Sequence, residues 1–132
     1  MIIVYTYVVG DILHKGHIEY LKNAKSLGDK LIVGVLTDEA VMEKKPMPAM
    51  SFDERFDVVR SLKWVDVAVA QYKYSPLDNV RAIKPDILVE VTDHKEQPAN
   101  DYIKALGGRV VSMPYYPNHS STKVKDKIME SN

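Results

Sequence analysis

The distribution of apolar side chains along the chain predicts strands and helices that follow one another in turn. Residues 2–9 are rich in β-branched and aromatic side chains without regular polar alternation, a pattern typical of a strand buried on both faces. Further short apolar runs, read as strands, lie at residues 31–36, 65–70, 86–91 and 109–113. We therefore predict five strands of an open parallel sheet with helices on both faces.

The segments between these strands have the spacing of amphipathic helices. After Gly16, apolar side chains recur about one helical turn apart as far as Leu27, and Gly28 follows as a stop signal. Ser51 and Glu54 are placed as a capping box for a second helix. Residues 37–38 open only a short polar segment. Further helices are predicted at residues 76–83, around residues 102–106 and at residues 120–130.

Length and composition limit the class of protein. A chain of 132 residues, 45% of them hydrophobic, is predicted to form one domain over residues 1–132. The 18 basic residues balance the 18 acidic ones, which leaves no global basic field for nucleic acid. The absence of cysteine excludes disulfides, thiolate zinc sites and cysteine nucleophiles, and fits a cytoplasmic location. The apolar start, residues 1–10, is half the roughly 20 residues that a membrane span needs.

The segment between the first strand and its helix carries the candidate chemistry. His14 and His17 are three residues apart, which on a helix entry puts both imidazoles on one side, and Gly16 lets the backbone approach a ligand closely. The start of a helix adds free N–H groups and about half a positive charge. The sequence therefore predicts a phosphate site suited to phosphoryl-type transfer, which needs charge stabilisation and no protein nucleophile.

These residues resemble the signature of a known family. A His-x-Gly-His motif that follows a first strand and an acidic residue, Asp11, is similar to the motif of the cytidylyltransferase-like nucleotidyltransferases. The resemblance extends over roughly residues 1–129, and it is strongest to small glycerol-phosphate and phosphoethanolamine cytidylyltransferases and to phosphonate-pathway cytidylyltransferase domains. The other matching segments are residues 27–35, 44–46, 51–55, 84–86 and 120–123.

The resemblance implies a fold and a reaction. It implies a Rossmann-like open five-stranded parallel sheet in the order 3-2-1-4-5, with helices on both faces. In the family, the phosphate of an alcohol phosphate attacks the α-phosphorus of a nucleoside triphosphate, and pyrophosphate leaves. We therefore expect a cytidylyltransferase that uses CTP and Mg²⁺ to activate a small phosphorylated alcohol or a phosphonate. A homodimer is expected from the resemblance alone.

The resemblance also implies which side chains handle the phosphates. His14 and His17 would hold the α- and β-phosphates and stabilise the pentacoordinate centre. Lys44 or Lys45 would reach the leaving pyrophosphate as a mobile point charge.

Further residues are assigned to the two substrates. Arg55 would bind the phosphate of the second substrate, with help from Lys63. Asp11 would fix the turn before the helix and act through bound Mg²⁺, although no residue is assigned as a direct metal ligand. The nucleotide-binding set consists of Val8, Val9, Asp11, Gly16, Asp93, Ser120, Ser121 and Thr122.

Two alternatives stay open. The chain departs from the family pattern at Val91, His94 and Tyr115, in the segments that recognise the base, so an adenylyltransferase using ATP on a phosphorylated small molecule is the first alternative. The second is of another class, a protein that binds zinc or another transition metal through a histidine cluster, or a non-catalytic nucleotide-binding protein. The histidines that follow strands are His14, His17, His94 and His119.

Overall fold

A computed structural model describes residues 1–92 and 97–114, in which strands and helices alternate along the chain. The strands are β1 (Ile3–Val8), β2 (Lys30–Leu36), β3 (Val67–Gln71), β4 (Ile87–Val91) and β5 (Arg109–Met113). The helices are α1 (Lys15–Lys25), α2 (Asp38–Met42), α3 (Phe52–Arg60), α4 (Leu77–Ile83) and α5 (Gln97–Ala105). No helix in these two ranges has the length and apolar character needed to cross a membrane.

The five strands form one sheet in the order β3-β2-β1-β4-β5, and every neighbouring pair is parallel. Ile3 pairs with Lys30 of β2, and Val4 pairs with Ile87 of β4, so β1 lies at the centre. The strand order confirms the predicted Rossmann-like fold. The helix predicted at residues 120–130 lies outside the described residues.

Both faces of the sheet are covered, which explains why the strand sequences lack polar alternation. On one face, Val4 and Val8 pack with Leu21 of α1 and Val59 of α3. On the other face, Tyr5 packs in a second cluster with apolar side chains of α4 and α5. The predicted placement of helices on both faces is therefore confirmed.

One helix was missed by the sequence patterns. Residues 38–42 form α2, where only a short polar segment was expected. Thr37 caps this helix, because its hydroxyl accepts the N–H of Ala40 at 3.2 Å. Ala40 and Val41 are buried against Leu36 and Tyr74. A helix of five residues is too short to show a periodic pattern, and tertiary packing stabilises it.

Three aspartates hold the strands together at the amino edge of the sheet. Asp29, Asp66 and Asp86 each lie just before or at the start of a strand. The backbone N–H of each donates to a carbonyl at the start of a neighbouring strand, and its carboxylate accepts a backbone N–H from the same region. The N–H groups bound by these carboxylates are those of Ile2, Leu31 and Ile3, at 2.7, 2.7 and 2.8 Å respectively. Each aspartate therefore makes a two-point contact between adjacent strands.

A buried polar network crosses the sheet beside Gly34. The hydroxyl of Tyr5 donates to Gln71 Oε1 at 2.6 Å and accepts from Asn79 Nδ2 at 3.0 Å. Burial raises the pKa of the Tyr5 phenol far above its usual value, so the phenol stays protonated and serves as donor. A Cβ atom on Gly34 would lie 2.0 Å from the Tyr5 hydroxyl, which explains why β2 has a glycine at this position.

Candidate active site

The turn that follows β1 has an unusual backbone. Gly10 and Ile12 have positive φ values of 78° and 51°, a region that side chains other than glycine rarely adopt. A Cβ atom on Gly10 would lie 3.1 Å from Val59 Cγ2, so the turn passes close to α3. This tight turn brings the chain from the carboxyl end of β1 to the start of α1.

His14 and His17 together cap α1. His14 is the N-cap, and its Nδ1 accepts the N–H of Gly16 at 3.0 Å. The Nδ1 of His17 accepts the N–H of His14 at 3.3 Å, in the reciprocal arrangement of a capping box. The two ring centres lie 4.1 Å apart with an interplanar angle of 62°. The structure therefore brings together the two imidazoles that the sequence placed on one side of the helix start.

His17 is held in its neutral form. Its side chain is buried, and burial is the main reason that its pKa falls from 6.5 to about 4; electrostatic interactions with His14 and Lys45 lower this pKa further. Since Nδ1 of His17 accepts a hydrogen bond, the proton of the neutral ring lies on Nε2. At neutral pH, His17 thus has an N–H donor, from which a phosphate oxygen can accept a hydrogen bond.

The two candidate lysines lie in the exposed segment after α2. The charge of Lys45 lowers the pKa of His17, so this ammonium group lies close enough to act electrostatically on that ring. Lys44 has a different neighbour, because its Nζ lies 5.1 Å from the centre of the Tyr74 ring. The carboxylate of Glu43 accepts the N–H of Tyr74 at 3.0 Å. The structure therefore associates Lys45 with the histidines and Lys44 with the loop after β3.

Asp11 binds the protein backbone. Its carboxylate is buried and accepts the N–H groups of Ala49 and Met50 at 2.9 and 3.0 Å. In residues 1–92 and 97–114, no group of three histidine, aspartate or glutamate side chains could hold a metal ion. The carboxylate of Asp11 is used by the backbone, so we assign no step of the reaction to the metal, and the use of Mg²⁺ stays a prediction.

Arg55 is the largest fully buried side chain among the described residues. Its guanidinium donates to the carbonyl oxygens of Val9, Leu36 and Met50, and it forms an ion pair of 2.7 Å with Asp38. This placement differs from the substrate contact that the sequence predicted, because the donors of Arg55 are used inside the protein. The importance of Met50 was missed as well, since it acts mainly through backbone groups that no sequence pattern marks.

Lys63 lies in a different part of the fold from the histidines, and its predicted role in substrate binding stays a prediction. It follows α3 in the turn that leads into β3, and its ammonium group lies 4.9 Å from the centre of the Trp64 ring. The N–H of Asp66, three residues later, donates to the carbonyl of Leu31 at the start of β2. Lys63 is therefore at the amino edge of the sheet, whereas the histidines follow the carboxyl end of β1.

The predicted nucleotide-binding residues have varied surroundings. Val8 is buried in the core, the carbonyl of Val9 binds Arg55, and Gly16 is buried at the start of α1. Contacts of these residues with a nucleotide stay predictions. The predicted residues outside the described ranges are Asp93, His94, Tyr115, His119, Ser120, Ser121 and Thr122.

Comparison with known proteins identifies the family. The family model described as cytidylyltransferase-like matches residues 10–127, which include the histidine turn, Lys44 and Lys45, and the strands β2 to β5. The chain belongs to the cytidylyltransferase-like family. This family is one of nucleotidyltransferase enzymes, so the resemblance found in the sequence is confirmed.

Known relatives of this family member include proteins named bifunctional protein HldE. The chain is 33% identical to HldE of Trichlorobacter lovleyi over 132 residues, covering 97% of this chain and 27% of the relative. It is 36% identical to HldE of Pseudomonas fluorescens over 133 residues, covering 98% of this chain and 28% of the relative. The chain thus spans between 27% and 28% of the length of these two curated relatives.

A solved structure has the same fold over most of its length. It is the crystal structure of the lipopolysaccharide core biosynthesis protein from Thermoplasma volcanium, with a TM-score of 0.79 and 34% sequence identity. The match covers 88% of this chain and 98% of the solved chain. This cytidylyltransferase-like chain therefore resembles one solved protein along nearly that protein's whole length.

Proposed function

We propose that this chain transfers a nucleotidyl group from ATP to the phosphate of a small phosphorylated molecule, with release of pyrophosphate. An oxygen of the acceptor phosphate forms a bond to the α-phosphorus of the nucleotide. The bond from the α-phosphorus to the bridging oxygen breaks, and its electron pair leaves with pyrophosphate. No covalent intermediate on the protein is needed, because the reaction depends on positioning and charge stabilisation.

The observation that carries this proposal is the pair of imidazoles at the start of α1. Because each Nδ1 accepts a backbone N–H, both rings have a fixed orientation. His17 is neutral at pH 7 and carries its proton on Nε2, so this nitrogen can donate a hydrogen bond to a phosphate oxygen. Donors held in place before the reaction stabilise a developing negative charge most effectively.

Lys45 supplies the positive charge in this proposal. Its field already reaches His17, and its long side chain is exposed and able to follow the departing pyrophosphate. Mg²⁺ enters the proposal as a companion of the triphosphate, because Mg²⁺ commonly keeps water ligands and binds substrate phosphates. The described residues then need to recognise the anionic nucleotide, and they need not build a metal site.

The relatives support the choice of substrates. Their identity as HldE proteins favours ATP as donor over the CTP that the sequence analysis put first. The solved relative is a lipopolysaccharide core biosynthesis protein by name, and a polysaccharide is built from sugars. We therefore propose a sugar phosphate as the acceptor, within the wider class of phosphorylated alcohols expected from the sequence.

The test is a panel assay on the purified chain with Mg²⁺. ATP and CTP are each combined with sugar phosphates, glycerol phosphate, phosphoethanolamine and a phosphonate, and pyrophosphate release is followed. We expect turnover with ATP and a sugar phosphate. Turnover with CTP but not with ATP would show that the donor is CTP, as the sequence analysis first expected. No turnover in any combination, together with tight binding of Zn²⁺, would favour the histidine-cluster alternative.

Matched variants test the assigned residues. His17→Gln keeps an acceptor for the N–H of His14, since glutamine suits this position of a capping box, but it loses the ring donor. We expect kcat to fall by about 100-fold or more, as for the loss of a donor to a developing charge. Lys45→Ala should also lower kcat, whereas Lys22→Ala, an exposed lysine in α1, should leave it unchanged. Full turnover by His17→Gln would show that the mechanism is wrong.

A further inference from the structure

Met50 is held in place by three of its own groups. Its N–H donates to the carboxylate of Asp11 at 3.0 Å, and its carbonyl accepts from Arg55 Nε at 3.2 Å. Its sulfur accepts the N–H of Ile12 at 3.5 Å. The N–H of Ala49 donates to the other oxygen of the same Asp11 carboxylate. We call residues 43–51, which join α2 to α3 and carry Lys44 and Lys45, the lysine segment. Its carboxyl end is thus bound to the turn that leads into the histidine motif.

Arg55 extends this connection to the sheet. Its guanidinium donates to the carbonyl of Val9 just beyond β1 and to the carbonyl of Leu36 at the end of β2. It also pairs with Asp38 in the first turn of α2, which leads into the lysine segment. One buried side chain therefore links the turn after β1, the end of β2 and both ends of the connection between β2 and α3.

The charges of Asp11 and Arg55 are used by these internal contacts. Both oxygens of the Asp11 carboxylate accept backbone N–H groups, which offset its negative charge. The Arg55 side chain has no exposed surface, and its positive charge is balanced by Asp38 and three carbonyl oxygens. Direct binding of substrate is therefore a poor explanation for either residue.

We propose that Asp11 and Arg55 are positioning residues, which fix the lysine segment against the histidine turn so that both act on one triphosphate. This inference rests on the proposed function, because it gives the two residues a role in that reaction. The histidines and the lysines come from different connections of the sheet, one after β1 and the other after β2. A displacement of about 1 Å between two such groups can reduce the rate about 100-fold.

A double-mutant cycle separates positioning from direct contact. Asp11→Asn is close in shape to the native residue, but its NH₂ group faces a backbone N–H where an oxygen is required. We expect it to lower kcat/KM by about 10- to 100-fold. In a background that lacks both Lys44 and Lys45, replaced by alanine, the same change should cost less than about 3-fold, because no lysine remains to be positioned. An equal loss in both backgrounds, or no loss in the native background, would overturn the proposal.

Asp29→Asn is the matched control. Asp29 also accepts a backbone N–H, that of Ile2 at 2.7 Å, but it lies at the amino edge of the sheet. We expect kcat/KM to stay within about 2-fold of the native value. An equal loss of kcat/KM in Asp29→Asn and Asp11→Asn would show a general effect of weakened folding and overturn the proposal. Arg55→Lys is a second probe, and Asp11→Asn decides the question if that variant does not fold.

A measurement without turnover keeps this inference distinct from the proposed function. In Asp11→Asn we expect faster hydrogen exchange at the amides of Ala49 and Met50, and an NMR titration midpoint for His17 that rises above about 4 as Lys45 moves away, while burial still holds it below 6.5. If the native chain is inactive and both changes occur, the proposed reaction fails and the positioning stands. If neither occurs, the positioning inference is wrong even when the native chain is active.

Discussion

Acidification should weaken the fold through His17. In the folded chain its pKa is about 4, against 6.5 for an exposed histidine, and burial is the main cause. Between these two values the unfolded chain binds a proton that the folded chain does not bind. The free energy of unfolding therefore falls as the pH drops from about 6.5 to about 4. Above pH 6.5 this contribution is complete, and below pH 4 it is lost.

The size of the effect follows from the same two values. One pH unit of pKa change corresponds to about 1.4 kcal/mol, so the full loss is about 3 kcal/mol. The structure explains the coupling, because a proton on Nδ1 of His17 would remove the acceptor for the N–H of His14 and open the first turn of α1. For a domain of this size, 3 kcal/mol is a large part of a total stability of about 5–15 kcal/mol.

Urea unfolding at a series of pH values measures this contribution, with His17→Gln as the reference. The variant keeps a side-chain acceptor at the same position but has no ionisable group. We expect the stability difference between native chain and variant to change by about 3 kcal/mol between pH 7.5 and pH 4. Most other titrating groups are shared and cancel. A stability difference that stays constant over this range would refute the assignment of a buried, neutral His17.

Two further predictions concern stability away from the histidines. Gly34→Ala should destabilise the fold by about 2 kcal/mol or more in urea unfolding, because the added Cβ would lie 2.0 Å from the Tyr5 hydroxyl and 2.9 Å from Gln71 Oε1; native stability would contradict this packing. Asp66→Asn should cost about 1 kcal/mol at pH 7, because the partly exposed carboxylate bonds Lys25 and a backbone N–H. Hydrogen bonding to Lys25 lowers the pKa of Asp66, so this loss should shrink as the pH falls below 3.8, and an equal loss at pH 3 would refute it.

The strands and the location of the site could be predicted because they depend on local signals, whereas the strand order came from the resemblance to the family. Apolar runs such as residues 31–36 mark strands that are buried on both faces, and connections in parallel sheets follow few patterns. The positions of His14 and His17 follow from the three-residue spacing at a helix start. The helix α2 could not be predicted from the sequence, because so short a helix shows no periodic pattern of apolar residues.

The partners of Asp11 and Arg55 could not be predicted because they are distant in sequence. Asp11 binds the N–H of Met50, 39 residues away, and Arg55 binds the carbonyl of Val9, 46 residues away. An arginine in an amphipathic helix is ordinarily placed at the surface, and only the folded chain shows carbonyl groups converging on it. The position of Lys63 could have been predicted from the sequence, since a residue in the turn that leads into a strand lies at the amino edge of the sheet.

The aspartates that begin the strands have a consequence for how this fold tolerates change. Asp29, Asp66 and Asp86 fix the alignment of neighbouring strands at the edge opposite the histidines. A slip of one residue would turn every side chain of a strand to the wrong face, and the two hydrogen bonds of the aspartate just before the strand oppose such a slip. The loops at the other edge are therefore not needed to fix the alignment of the strands. They are the natural place to redesign substrate preference while the sheet keeps its alignment.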